Sequence, residues 1–193
     1  MWNKIAHKYY YWAKFNRWYY TLFVLKIKNF CSPKKVLDIC CGPGILKEEF
    51  TKFFPDAEVV GLDSSREMCK LSNSLMGDAL HLPFKDESFD LITFCFALHE
   101  LKVKEALKEA KRVLKSKGII AIADLNSELP ETTKIFVKYF FNLILGKEYA
   151  NHLLLSWRRF PKPLELLSEL KDMNFEILHS KLIPEIWIVA KKI

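Results

Sequence analysis

The run Val36–Gly44, VLDICCGPG, constrains this chain more than any other segment: an apolar stretch ends in an acid and then breaks into glycines. Gly42 and Gly44 let the backbone turn sharply and approach a ligand with no Cβ in the way. In an open parallel sheet, ligands bind beyond the carboxyl ends of the strands where the strand order reverses, and the loop after the first strand usually lies there. Two later acids, Asp63 in EVVGLD and Asp78 in GDA, stand at the ends of further strand-like runs.

The elements alternate from Lys35 onward. Residues 35–39 read as a strand, 44–54 as a helix, 58–62 as a strand and 66–76 as a short helix; a brief strand is expected after Gly77, and 90–96 reads as a buried strand. A helix over 103–115 is expected to close at the Lys117-Gly118 pair, with a strand over 118–123. This order implies an α/β fold, a parallel sheet covered on both faces. Residues 175–182 and 185–190 are separated only by Ile183 and Pro184, which leaves no room for a crossover helix, so they should form an antiparallel hairpin. The length of 193 residues suits a single domain, and no apolar run is long enough to span a bilayer.

The glycine loop is not a dinucleotide fingerprint, because Lys47 occupies the place of the third glycine. Asp38 would also set negative charge where a pyrophosphate must sit. An acid there suits a ligand with an ammonium group, such as the amino-acid end of S-adenosylmethionine. Asp63 falls where an acid commonly accepts hydrogen bonds from both ribose hydroxyls, and Asp78 where a carboxylate can accept one from an adenine amino group.

Charge is distributed unevenly. Residues 1–35 hold eight lysines and arginines and no acid, whereas the whole chain has a net charge of only +7, so the remainder is close to neutral. The same segment carries eleven of the 27 aromatic residues, and Ile5, Tyr9, Trp12, Phe15, Tyr19 and Leu22 recur at helical spacing, predicting one amphipathic helix. A helix packed on the body with solvated lysines accounts for the segment; the mixture also suits an anionic membrane surface or a nucleic acid. Lysines interrupt the apolar residues of any signal-like core, and the chain reads as cytoplasmic. The five cysteines lack paired CxxC or Cys/His spacing and read as reduced structural thiols, with no metal expected.

DICCGPG, GLDSS, GDALHLPFKDESFDLI and EALKEAKRVLKSKG, in this order, resemble the motifs of class I S-adenosylmethionine-dependent methyltransferases across nearly the whole chain. The resemblance implies a doubly wound, mostly parallel, seven-stranded Rossmann-like sheet with an antiparallel C-terminal hairpin, and S-adenosylmethionine as cofactor. It assigns Asp38, Gly42 and Gly44 to the methionine and ribose end, Asp63 to the ribose, and Asp78 with Ala79 to the adenine, and counts Cys40, Ser64 and Met68 among the cofactor-binding residues. Phe94 and Cys95 fall where main-chain carbonyls approach the cofactor's amino group. Cys40 stands where the pattern has its first glycine. WNKIAHKYYYW and YANHLLLSWRRFPKPLELLSEL further resemble terminal segments of the ubiquinone and menaquinone biosynthesis C-methyltransferases, although His99 and Glu100 replace the arginine and asparagine usual there.

The resemblance implies transfer of a methyl group to a small lipophilic acceptor such as a quinone precursor, with residues 1–35 as a helical lid and 131–172 as a helical insertion. Ile135, Phe136, Tyr139, Phe140, Leu143 and Leu145 would give that insertion an apolar surface toward the substrate, with Trp157 to Phe160 capping the pocket or binding an anion. Holding donor and acceptor at attack distance does much of the catalysis. His99, with a near-neutral pKa, can serve as a base, and the faces of Tyr9, Phe94 and Phe96 can stabilise a sulfonium. A macromolecular acceptor, RNA or protein, and a noncatalytic S-adenosylmethionine-binding module are the competing readings.

Overall fold

The computed structural model describes residues 1–193. Two helices, α1 (Trp2–Phe15) and α2 (Arg17–Lys28), precede an alternating series: β1 (Lys35–Ile39), α3 (Ile45–Phe53), β2 (Glu58–Asp63), α4 (Arg66–Ser72), β3 (Leu75–Met76), β4 (Phe89–Cys95), α5 (Val103–Val113) and β5 (Leu114–Asp124). Three consecutive helices follow, α6 (Glu131–Leu145), α7 (Lys147–Arg159) and α8 (Pro163–Asp172), before the hairpin β6 (Phe175–Lys181) and β7 (Ile186–Lys192). The sheet order is β3-β2-β1-β4-β5-β7-β6, parallel except for β7, which runs antiparallel to both β5 and β6. This is the expected seven-stranded, mostly parallel α/β sheet with an antiparallel C-terminal pair. The order reverses between β1 and β4, which opens a crevice at their carboxyl ends.

Period-two alternation divides each strand between two cores. Leu37 and Ile39 of β1 pack with Ile92, Phe94 and the inner faces of α5 and α8, whereas Val36 packs with Leu91, Ala121 and the residues that α2 and α3 bury, Phe23, Ile27, Leu46 and Phe50 among them. A charged contact seats α2. Arg17 Nε donates to Glu49 Oε1 at 2.6 Å, Thr21 Oγ1 donates to Glu49 Oε2 at 2.7 Å, and the Arg17 guanidinium also holds Glu48. The Glu49 side chain is only 2% exposed, so without Arg17 its carboxylate would be buried beside a lone hydroxyl.

Several boundaries differ from the sequence reading. The N-terminal helix is two helices: Asn16 leaves helical geometry at φ −92°, ψ 22°, and its Nδ2 donates to Trp12 O at 2.9 Å. The break turns Phe15 and Leu22 outward, out of the buried stripe to which helical spacing assigned them. Asn73, left-handed at φ 48°, stops α4 at Ser72, and the brief strand lies before Gly77 at Leu75–Met76, not after it. Lys117-Gly118 caps no helix. The chain passes from Val113 into β5 directly, and Lys117, at φ 61°, sits where the β4–β5 register shifts.

Arg17→Ala is expected to destabilise the protein by ~2 kcal/mol, less than a fully buried pair would lose because the arginine itself is partly exposed. Urea unfolding at neutral pH measures this, and Glu49→Gln in the same background should recover part of the loss.

Candidate active site

Two cavities of about 240 Å³ each lie over the β1–β4 crevice. The first is walled by the carboxyl ends of the central strands. Asp38 comes from β1, Cys40, Gly42 and Pro43 from the following loop, Asp63 and Ser64 from the end of β2, Met68 from α4, and Cys95 and Glu100 from the end of β4 and the turn beyond it. The loop conformation explains its composition. Gly42 and Gly44 take φ 52° and 85°, and Cys40 is held at φ 56°, a left-handed geometry in which a Cβ costs roughly 1 kcal/mol or more. The first glycine of the family pattern is thus replaced at a position whose backbone keeps the glycine-type conformation.

Gly42 N donates to Asp63 Oδ2 at 2.9 Å and Ser65 N to Oδ1 at 2.8 Å, which fixes the carboxylate's orientation and leaves further lone pairs free. Asp38 is 1% exposed; Thr93 Oγ1 donates to its Oδ1 at 2.8 Å, and its Oδ2 has no partner. Burial pushes its carboxyl up to about 7, only partly opposed by the Thr93 hydrogen bond. Burial likewise raises the Cys40 and Cys95 thiols well above their usual range, so neither is a thiolate nucleophile.

The second cavity is aromatic. Twelve of its fourteen lining residues are apolar, and it shares Trp2, Tyr9, Tyr20 and Phe96 with the first, so these side chains form a common wall. Edge-to-face contacts fix that wall: Trp2 lies 5.3 Å from both Tyr9 and Tyr149, and Trp12 lies 5.2 Å from Phe141 of α6. Asn3 Oδ1 accepts a 2.7 Å hydrogen bond from Ser65 Oγ, tying α1 to the end of β2.

A chain of alternating acids and imidazoles runs outward beside both cavities. His99 Nδ1 is 2.6 Å from Asp124 Oδ1, its Nε2 is 3.4 Å from Glu100 Oε1, and Glu100 Oε2 pairs with His152 at the surface. Burial alone would lower the pKa of His99, but the Asp124 charge and hydrogen bond, with Glu100, push it up to about 10. Pairing with Asp124 and Glu100 thus favours the protonated ring, against the near-neutral titration expected of His99. Burial would raise Glu100, but His99 and His152 outweigh it and hold its carboxyl below the usual range. Glu100 Oε1 is buried without a hydrogen bond.

A methyltransferase-domain family profile matches residues 37–122. A demethylmenaquinone methyltransferase of Thermotoga maritima is 32% identical over 167 residues, covering 76% of this chain and 72% of the relative. The chain belongs to the class I S-adenosylmethionine-dependent methyltransferases. A demethylmenaquinone methyltransferase of Listeria welshimeri is 30% identical over 177 residues, covering 78% and 74%. Among solved structures, an S-adenosylmethionine-dependent methyltransferase of Thermotoga maritima shares the fold over the full length of both chains (TM-score 0.71, 21% identity), and one from Aquifex aeolicus over 89% of each (TM-score 0.66, 19% identity). The cofactor of this methyltransferase is S-adenosylmethionine, and the free Oδ2 of Asp38 fits its amino group: a buried acceptor lacking a donor, in a cavity whose neighbouring acid, Asp63, can take hydroxyl hydrogens.

Of the residues singled out in the sequence, the first cavity gathers Tyr9, Asp38, Cys40, Gly42, Asp63, Ser64, Met68 and Cys95. Gly44 starts α3 just behind it, and Phe94 is wholly buried beneath it. His99 lines the second cavity instead. Asp78 and Ala79 are absent from both walls; Asp78 accepts from Leu80 N at 2.9 Å and pairs with His81 at 2.8 Å on the surface. The insertion is reversed relative to expectation: Ile135, Phe136, Tyr139, Phe140 and Leu143 face solvent and only Leu145 is buried, while Val137 and Phe141 face the cavity. Arg158 pairs with Glu131, the Trp157 indole donates to Asn126 O at 2.8 Å, and none of Trp157 to Phe160 lines either cavity. Tyr20 and Asp124 are missing from the sequence-based site, and Glu100 enters it only as a departure from the family pattern; Asp124, an acid ending an apolar strand, carries the same signal as Asp38 and Asp63.

Without ligand, Asp38 opposes folding once ionised. Its folded pKa of about 7 exceeds its ordinary 3.8, so stability falls as pH rises from about 4 to 7 and levels off above. Asp38→Asn is expected to match the native protein in melting temperature near pH 4 and to exceed it by several degrees at pH 8, on the order of 4 kcal/mol at most. Thermal melts across pH measure the divergence.

Proposed function

We propose that this enzyme methylates a planar, lipophilic small molecule of the quinone-precursor class, seated in the aromatic cavity. The observation that carries this reading is the shared wall: a cavity with two free or partly free acids adjoins an almost wholly apolar one across Trp2, Tyr9, Tyr20 and Phe96. Relatives named demethylmenaquinone methyltransferase support the acceptor class. A charged macromolecular acceptor would find little to bind in that second cavity.

S-adenosylmethionine supplies an electrophilic methyl group on a sulfonium. Asp38 Oδ2 would receive its ammonium, Asp63 would accept from its ribose hydroxyls, the backbone at Cys40 and Gly42 would lie against it, and Ser64 and Met68 would line the adenosine side. Tyr9 and Phe96, in the wall common to both cavities, would stabilise the sulfonium and exclude water. When bound, S-adenosylmethionine would supply the methyl group and leave as its thioether, and the acceptor that takes the methyl would have one proton to lose. Glu100 Oε1, buried without a hydrogen-bond partner, would take that proton and Glu100 would become neutral, while its Oε2 stays paired with His152. His99, held as a cation by Asp124, is a positioning residue that keeps Glu100 ionised.

Calorimetric titration with S-adenosylmethionine and S-adenosylhomocysteine should give binding to the native chain, strongly weakened by Asp63→Ala; absence of binding of either ligand to the native chain would refute the site. Affinity for S-adenosylmethionine should fall as pH drops below about 7, because protonated Asp38 cannot receive an ammonium. Glu100→Gln should lower kcat with a quinol-type acceptor by a factor of about 10² or more. In His99→Asn, the acid limb of the kcat profile should move to higher pH, because Glu100 loses its cationic neighbour; an unmoved limb would remove His99 from this role.

A further inference from the structure

Most helices bury their apolar stripe, but α6 and the α1–α2 pair each expose one here. On α6, Ile135, Phe136, Tyr139, Phe140 and Leu143 follow helical spacing and are 41%, 72%, 66%, 41% and 87% exposed. Across the break at Asn16, Tyr11, Phe15, Trp18, Leu22 and Leu25 continue a second stripe at steps of four and three, all exposed. The two stripes meet where α1 touches α6 through Trp12, whose ring lies 5.5 Å from Phe140. Together they leave uncovered an aromatic and aliphatic surface of a kind that marks a docking site.

Charge identifies the occupant. Residues 1–28 and 132–147, which carry both stripes, contain nine lysines and arginines and no acid. Arg17 and Lys134 are taken up by Glu48, Glu49 and Glu131, and Lys4 lies 3.7 Å from Glu148; Lys8, Lys14, Lys26, Lys28, Lys138 and Lys147 have no carboxylate partner. Lys14 lies over the Tyr10 ring at 5.6 Å and Lys138 over Tyr139 at 5.9 Å, so ammonium groups rim the apolar surface as they do where helices lie in a bilayer interface. A second copy of the chain meeting this surface would set lysines against lysines. A nucleic acid would have no use for Leu22, Leu25, Ile135 and Leu143.

We propose that the exposed faces of α1–α2 and α6 form one platform that seats the enzyme on an anionic membrane surface. The platform roofs the aromatic cavity: Trp12 and Trp18, on either side of the helix break, and Val137 and Phe141, on the opposite side of α6, all line it. A lipophilic acceptor dissolved in the bilayer then reaches the cavity without crossing water, a purpose that rests on the acceptor class proposed above.

The full chain is centrifuged with vesicles of phosphatidylcholine alone and of phosphatidylcholine mixed with phosphatidylglycerol, without any acceptor. Binding is expected only to the anionic vesicles and should weaken with salt. Phe136→Asp with Leu143→Asp, and separately Lys14→Glu with Lys138→Glu, should each weaken it about tenfold or more while S-adenosylmethionine affinity, which reports an intact fold, stays unchanged. Equal sedimentation with neutral and anionic vesicles, or none with either, overturns the proposal. So does binding to single-stranded RNA that the lysine reversals abolish while vesicle binding persists, or a dimer that the two aspartates convert to monomer. Vesicle binding with no turnover of any quinol would leave the platform standing and remove the acceptor class instead.

Discussion

The fold turns on one hydrogen bond across the point where the sheet divides. Asp38 of β1 and Thr93 of β4 are register partners, and Thr93 Oγ1 reaches Asp38 Oδ1 at 2.8 Å. Chains leaving these strands diverge in opposite directions, toward β2 on one side and β5 on the other, so the gap above them cannot be filled by the next strand's backbone. An acid placed there is buried by the sheet itself, yet only one of its oxygens is satisfied. The fold therefore carries a buried, half-paired carboxylate at its centre, a cost that a ligand donating to the free oxygen would offset.

The rest of the site is hung on this centre by helices that the sheet does not require. α2 is locked by the Arg17–Glu49 pair and by Phe23 and Ile27 against one face, and α1 is carried with it across Asn16 until Trp2 and Tyr9 meet Tyr149. α6 and α7 close the far side through Phe141 and Tyr149. The aromatic cavity thus belongs to packing between helices, while the first cavity belongs to strand ends and a glycine loop. One is specified by backbone topology, the other by side-chain shape.

That division explains what could be read from the sequence. The central strands were legible because they are buried on both faces and stand out as apolar runs, and Asp38, Gly42 and Asp63 because polar or glycine residues at the ends of such runs have few structural reasons to be there. β3 was misplaced because two exposed residues, Leu75 and Met76, carry no periodic signal. The Lys117-Gly118 pair looked like a helix end because its left-handed residue serves a strand irregularity equally well. Periodicity on α6 was plain, but a stripe states only that one side is apolar, not which side faces in. The partnership of His99 with Asp124 joins residues 25 apart in sequence and was invisible for that reason.

The row of charges from Asp124 through His99 to Glu100 ties the turn after β4 to the end of β5 chiefly by electrostatic attraction; His99 N also donates to Asp124 Oδ2 at 3.2 Å. Apolar contacts tolerate piecemeal exchange, since one residue can shrink while a neighbour grows. A buried series of alternating charges does not, because removing any one member strands its neighbour without compensation. These three positions are therefore coupled energetically: a change at one alone costs more stability than its own contacts suggest, because a neighbouring charge is left buried without its partner.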